Sequence, residues 1–186
     1  MAKIFTPTVA KGRPSTAGLV GTVVSGVSGL TVEEYGSKDS SNRITKFIFT
    51  NFTMTNTDNG ASGGYGSQQI YDFPAGSVAL RNGYAQFTAT SSSTNLATSV
   101  KFSLGTAAEA TGDTLDSTQA NAVSSTTVTL ASTTPGKGAG AAPSIVDGTA
   151  TAADLYINLG STAANSSGAA TATINGYALV EWSVLS

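Results

Sequence analysis

The chain has 186 residues, with nine Lys or Arg, eleven Asp or Glu and a formal net charge of −2. Charged residues make up only 11%, against ~25% in an average domain, and so weak a field gathers neither nucleic acid nor an anionic membrane. Cys and His are both absent, which removes disulfides, thiolate nucleophiles and Cys-ligated metal, and with them the commonest general base and transition-metal ligand.

What remains is 40% hydrophobic, enough for one domain with a real core, while 52 Ser and Thr and 21 Gly supply a polar surface of hydroxyl and backbone. That composition fits an all-β domain with many turns, or low complexity; the strands below favour the first. Residues 1–17 read as an extended arm, with Pro7, Pro14, no periodicity and three positive charges, Lys3, Lys11 and Arg13. Ile4, Phe5 and Val9 are apolar in a segment that cannot bury them alone. The arm is either a free tail, as termini commonly are, or a docking segment for a neighbouring subunit. It has no apolar core of a secretory signal, and no window approaches the ~18 apolar residues of a membrane span.

The body is expected over 18–186. Residues 18–35 suggest one or two strands with Gly-marked bends. Residues 43–55 form a clear strand, with Ile48, Phe52 and Met54 on one face and Phe47 and Phe49 on the other, so it should be covered on both sides, by a second sheet and by a loop or partner. Residues 56–68 read as a long Gly-rich loop, followed by a short strand in QQIYDF and a turn at Pro74-Ala75-Gly76. Strands follow over 77–90 and 99–106, then a turn or two of helix within 107–122, and a strand in SSTTVTLAST. PGKGAGAAPS reads as a flexible loop and DLYINLG as a strand. The C-terminal run is the strongest strand signal: Ile174, Ala178, Val180, Trp182 and Val184 share a face, with Gly176 in step. Roughly eight strands with almost no helix imply an antiparallel two-sheet sandwich of jelly-roll type.

Candidate chemistry is sparse. Lys137 is followed by Gly138 and lacks the Ser or Thr and the helix of a phosphate loop. Asp113 with Asp116, Asp147 with Asp154, and Asp58 beside Asn59-Gly60 do not match a calcium loop and suit turns and caps better. Glu33, Glu34, Glu109 and Glu181 supply carboxylates, but nothing pairs them for glycoside hydrolysis, and Glu181 should face away from Trp182. Tyr35, Tyr65 and Tyr84 could form a sugar-stacking surface, but core packing and exposed loop positions explain them better. The chain is therefore expected to be no enzyme and to need no cofactor or metal.

Four stretches together, DFPAGSVALRNGYAQFTAT (72–90), SVKFSLGTAAEATGDTLDSTQANAVSSTTVTL (99–130), VDGTATAADLYINLG (146–160) and INGYALVEWSVL (174–185), resemble the β-sandwich virion proteins that decorate or cement the capsids of tailed bacteriophages. The resemblance covers about residues 70–185. It implies a jelly-roll-like domain on the outer capsid surface that bridges neighbouring major capsid proteins against internal DNA pressure, as a homo-oligomer, dimer or trimer. Its partners would be the major capsid protein and its own copies, with no nucleic acid and no membrane. Arm residues Lys3, Ile4, Phe5, Val9, Lys11 and Arg13 are the expected contacts. The alternatives are another virion component (a head fibre, tail or receptor-binding module) or a small shell-forming capsid protein.

Overall fold

The computed structural model describes residues 21–36 and 42–185. They form eleven strands: β1 (Thr22–Val23), β2 (Leu30–Tyr35), β3 (Asn42–Asp58), β4 (Gly64–Asp72), β5 (Gly76–Ser91), β6 (Ser99–Gly105), β7 (Val123–Thr129), β8 (Gly136–Ala139), β9 (Ser144–Gly148), β10 (Asp154–Ser161) and β11 (Ala170–Leu185). Every pairing between named strands is antiparallel. Sheet A holds β7-β6-β10-β4, with β1 on β4; sheet B holds β3-β11-β5-β8, with β2 on β3 and β9 on β5. The end of β3 crosses over to pair with β4 at Thr57 and Asp58. At the other side β7 meets β8 through an isolated bridge between Val123 and Gly140. The result is an all-β, nearly closed, barrel-like sandwich.

The core lies between the sheets and has two aromatic centres. Trp182, Tyr71, Phe73 and Phe47 pack edge to face at one end, with Phe73 and Trp182 centroids 5.2 Å apart. Phe49, Phe52, Phe87 and Phe102 do the same at the other. Polar tips buried here are paired, as they must be: Trp182 Nε1 donates to Thr45 Oγ1 at 2.8 Å, and Tyr71 Oη donates to Glu34 Oε2 at 2.9 Å. Arg43 closes the network on Glu34 Oε1 at 2.7 Å. Burial, and then the Glu34 charge, push the Tyr71 hydroxyl well above the ordinary tyrosine range.

Three expectations need correcting. Ile48 does not share a face with Phe52 and Met54. Asn51 takes a positive φ of 50°, Thr50 and Asn51 both point to solvent, and the register on β11 shifts between Ile174 and Gly176. This bulge puts Phe47, Phe49, Phe52 and Met54 all inside and leaves Ile48 outside. Second, the Gly-rich loop over 56–68 is mostly strand. A side chain at Gly66 would lie 2.2 Å from Thr55 O, so glycine here allows a close strand approach. Third, the stretch expected to be a flexible loop, 135–144, contains β8, where a side chain at Gly136 would meet Thr127 O at 2.6 Å.

The segment 106–122, where a turn or two of helix is expected, carries one 3-10 turn, Ser117–Gln119. It lies as a roof over the middle of the outer face of sheet A, across β4, β10 and β6, and leaves the outer side of β7 exposed. Asn158, fully buried on β10, donates to Ala107 O and Gln119 O and accepts from Glu109 N at 3.0 Å. Ser103 on β6 bonds Gln119 O, and Ser67 on β4 bonds Glu109 O. Glu109 folds its own loop, taking the N–H groups of Ala110, Thr111 and Gly112 on Oε1. Asn158→Ala leaves Ala107 O without a partner, at about 1–3 kcal/mol for an orphaned group, while Gln119 O keeps Ser103 and Glu109 N keeps Ser67. The expected outcome is faster hydrogen exchange confined to 106–122, with β5 and β11 still protected.

Candidate docking face

With the middle of sheet A roofed, the outer face of sheet B is a large surface that no described segment covers. The strand registers lay it out in rows. One row reads Thr31, Ile48, Tyr177, Gln86, Lys137; the next reads Glu33, Lys46, Leu179, Tyr84, Ala139; a third reads Tyr35, Ile44, Glu181, Asn82. The large members of these rows are partly exposed, while their sequence neighbours on the same strands are buried. Ile44, Ile48 and Leu179 thus lie among Tyr35, Tyr84 and Tyr177. The Tyr84 and Tyr177 rings stand 6.0 Å apart, and Lys46 Nζ sits 6.0 Å over the Tyr177 ring.

Polar contacts on this face stay within it. Lys46 pairs with Glu33 at 3.5 Å, Tyr35 Oη donates to Glu33 Oε2 at 2.6 Å, and Tyr84 Oη donates to Gln86 Oε1 at 3.2 Å. The face continues toward the end of β5 and β11 through Ala79 and Ile145, in the row of the buried Ser183, then Leu185, Ser77 and Asp147. Ile145 is 69% exposed and Leu185 39%, the most exposed large apolar side chains among the described residues. Beside them lies a shallow open depression of about 490 Å³, bounded by Arg81, Pro143, Ser144 and Ile145.

The expected arm contacts, Lys3, Ile4, Phe5, Val9, Lys11 and Arg13, lie outside the described residues. The three tyrosines named from sequence do not converge. Tyr35 and Tyr84 share the sheet B face three strands apart, roughly 14 Å, while Tyr65 is on β4 in sheet A, opposite Gly160; the ring beside Tyr84 is Tyr177. Glu181 does face away from Trp182. The acids serve local geometry: Asp113 pairs with Lys101 at 2.9 Å, Tyr156 Oη donates to Asp154, and Asp58 accepts from Gly60 N. Asp147 accepts from the Thr149 hydroxyl and N–H, which hold its carboxyl below the usual carboxylate range. Sequence reasoning missed this face as a site. The signal was the double-sided apolarity of 43–55 together with Tyr177 and Leu179 on the outer positions of the C-terminal strand.

The Glu33 hydrogen bond, with some burial and the Glu33 charge behind it, pushes the Tyr35 hydroxyl up to about 12. The folded state therefore holds this proton more tightly than the unfolded chain, whose tyrosines titrate near ~10. The stabilisation is complete below about pH 10 and is lost as pH rises through about 12. In Glu33→Gln an ultraviolet titration should show one tyrosine returning toward the ordinary value, with the fold retained. No family model, curated protein or solved structure matches this chain, so the reading of the face rests on its own residues.

Proposed function

We propose that this chain is a structural protein of a phage virion that binds the outer surface of the capsid and bridges neighbouring major capsid proteins, with the outer face of sheet B as its seat. The observation that carries the reading is the asymmetry of the sandwich. One sheet is partly roofed by the chain itself, and the other presents isoleucine, leucine and tyrosine interspersed with Glu33, Lys46, Lys137 and Glu181. A large mixed apolar and aromatic face of this kind marks an interaction surface.

The strand order supports a jelly roll. Counting β3, β4, β5, β6, β7, β8, β10 and β11 as one to eight, the two sheets read 1-8-3-6 and 2-7-4-5, the order of a rolled double Greek key, a fold frequent in viral capsid domains. The resemblance over residues 70–185 points the same way. A rigid body with an apolar seat, repeated over a symmetric shell, gains from touching several capsomers at once.

The Tyr84–Tyr177 pair favours a second reading, a receptor-binding module that stacks sugar rings, and a glycan-array signal lost in Tyr177→Ala would establish it. For the leading reading, capsids lacking the protein should lose heat and chelator resistance and regain both when purified protein is added. Leu179→Glu, which changes a partly exposed side chain and sets an unlike charge opposite Lys46, should fold normally and fail to rebind. Unchanged resistance without the protein, and no rebinding of the wild type, would sink the proposal.

A further inference from the structure

At one corner of sheet B the edge strand β9 has no second neighbour among the described residues. It pairs with β5 alone, from Gly76 opposite Gly148 to Leu80 opposite Ser144, with no register shift. Its collinear neighbour β8 has its outer edge taken by β7, through the Val123–Gly140 bridge and the Thr126 hydroxyl on Lys137 O at 3.0 Å. β7 begins at Val123, so it stops short of β9. Open edges are ordinarily kept short or blunted by charge, Pro or a bulge. Ser144–Gly148 reads SIVDG; it is short and carries Asp147, but has no bulge, internal Pro or lysine. Instead it presents Ile145, 69% exposed, next to the depression and Leu185.

We infer that β9 is a homodimer edge: two copies pair their β9 strands antiparallel about a two-fold axis at Ile145, extending sheet B across both molecules. A strand paired with itself about a two-fold is always antiparallel, so an open edge is self-complementary without further design. The choice of Ile145 as the axis follows from the flanking residues. It places Ile145 directly opposite Ile145 of the second copy, with Ala79 behind each. It also places Pro143, which has no N–H to donate, opposite Asp147 of the second copy. Since Leu80 pairs with Ser144, Arg81 lies in the row of Pro143, so the arginine of each copy shares a row with the aspartate of the other. Unlike charges thus bracket the apolar pair on both sides. An axis one residue on, at Val146, would instead set Ile145 against the Asp147 carboxylate, which is the poorer pairing. Of the dimer and trimer expected from sequence, this geometry selects the dimer. It does not depend on what the rest of the sheet B face sits on.

The chain has no cysteine, so a single introduced thiol reports the contact cleanly. Directly opposed residues in an antiparallel pair have Cα atoms about 4.5–5.5 Å apart, within disulfide reach. Full-length Ile145→Cys should oxidise to a covalent dimer, whereas Thr171→Cys, exposed at the far end of β11, should not. By analytical ultracentrifugation the wild type should sediment as a dimer and Ile145→Arg as a monomer with an unchanged circular-dichroism spectrum. A monomeric wild type, or an Ile145→Cys chain that crosslinks no faster than Thr171→Cys, would overturn the inference.

Discussion

Most of this structure depends on one strand finding two partners. β11 pairs with β3 on one side and with β5 on the other, along almost its whole length. Its inward residues, Ile174, Ala178, Val180 and Trp182, are fully buried. A strand flanked on both edges has its backbone groups satisfied in the ladder, so its only freedom is which face turns inward, and a slip by one residue would expose all four. The register is pinned from within. Gly176 has φ 143°, and a side chain there would stand 2.0 Å from Gln86 O, so only glycine lets β5 approach at that point. Next to it, facing Asn175, Asn51 takes the compensating bulge on β3 and donates its N–H to Asn175 Oδ1 at 2.8 Å.

With sheet B fixed in this way, sheet A must supply the other half of the core, and its far side then needs cover. The roof over 106–122 meets that need with polar contacts instead of apolar ones. A roof built on Asn158, Ser103 and Ser67 is held by directed hydrogen bonds, each worth only about 1 kcal/mol net but costly to leave unmade. Close approach depends again on glycine. A side chain at Gly105 would reach Thr118 O at 2.2 Å, and one at Gly160 would reach Asp113 O at 2.9 Å. A chain with so few charges thus covers one sheet by hydroxyl, amide and backbone. The outer face of sheet B, in which Glu33, Lys46 and their neighbours bond among themselves, has no such roof among the described residues.

The parts of the fold legible in the sequence were those where alternation acts alone. β6, β10 and β11 alternate or run apolar without interruption, and their positions followed. Glycine is ambiguous in sequence. In 56–68 and 135–144 it has the pattern of loop punctuation, whereas in β4 and β8 it marks strands that another backbone approaches closely. Composition cannot separate these two uses, because the deciding fact is the distance to a residue far away in sequence. Ile48 shows the same limit. Period-two counting carried it across Asn51 to the side of Phe52, and one positive φ reverses the parity. The candidate face was half legible: apolar residues on both faces of 43–55 implied a cover of some kind, but the topology was needed to set Ile48 beside Tyr177 and to show that the cover is not a described part of the chain.

The energetics decide which part of that face a partner would use. Its ion pair, Lys46 with Glu33, is about a third exposed on both sides and is worth about 0–1 kcal/mol in water, so it orients more than it binds. Burying one large apolar side chain contributes about 1.5–3 kcal/mol when it starts fully exposed. Ile44, Ile48 and Leu179 are already shielded by their neighbours in the sheet and retain only part of that gain each. Ile145 retains most of it. A contact made by the flat middle of the face is consequently broad and individually weak, which suits a protein whose hold multiplies over many copies. The corner at Ile145 concentrates its gain in one side chain beside an unpaired backbone edge, which suits a single well-defined pairing. The two ends of one sheet thus favour different kinds of association for the same physical reason: how much apolar surface the fold itself has left uncovered.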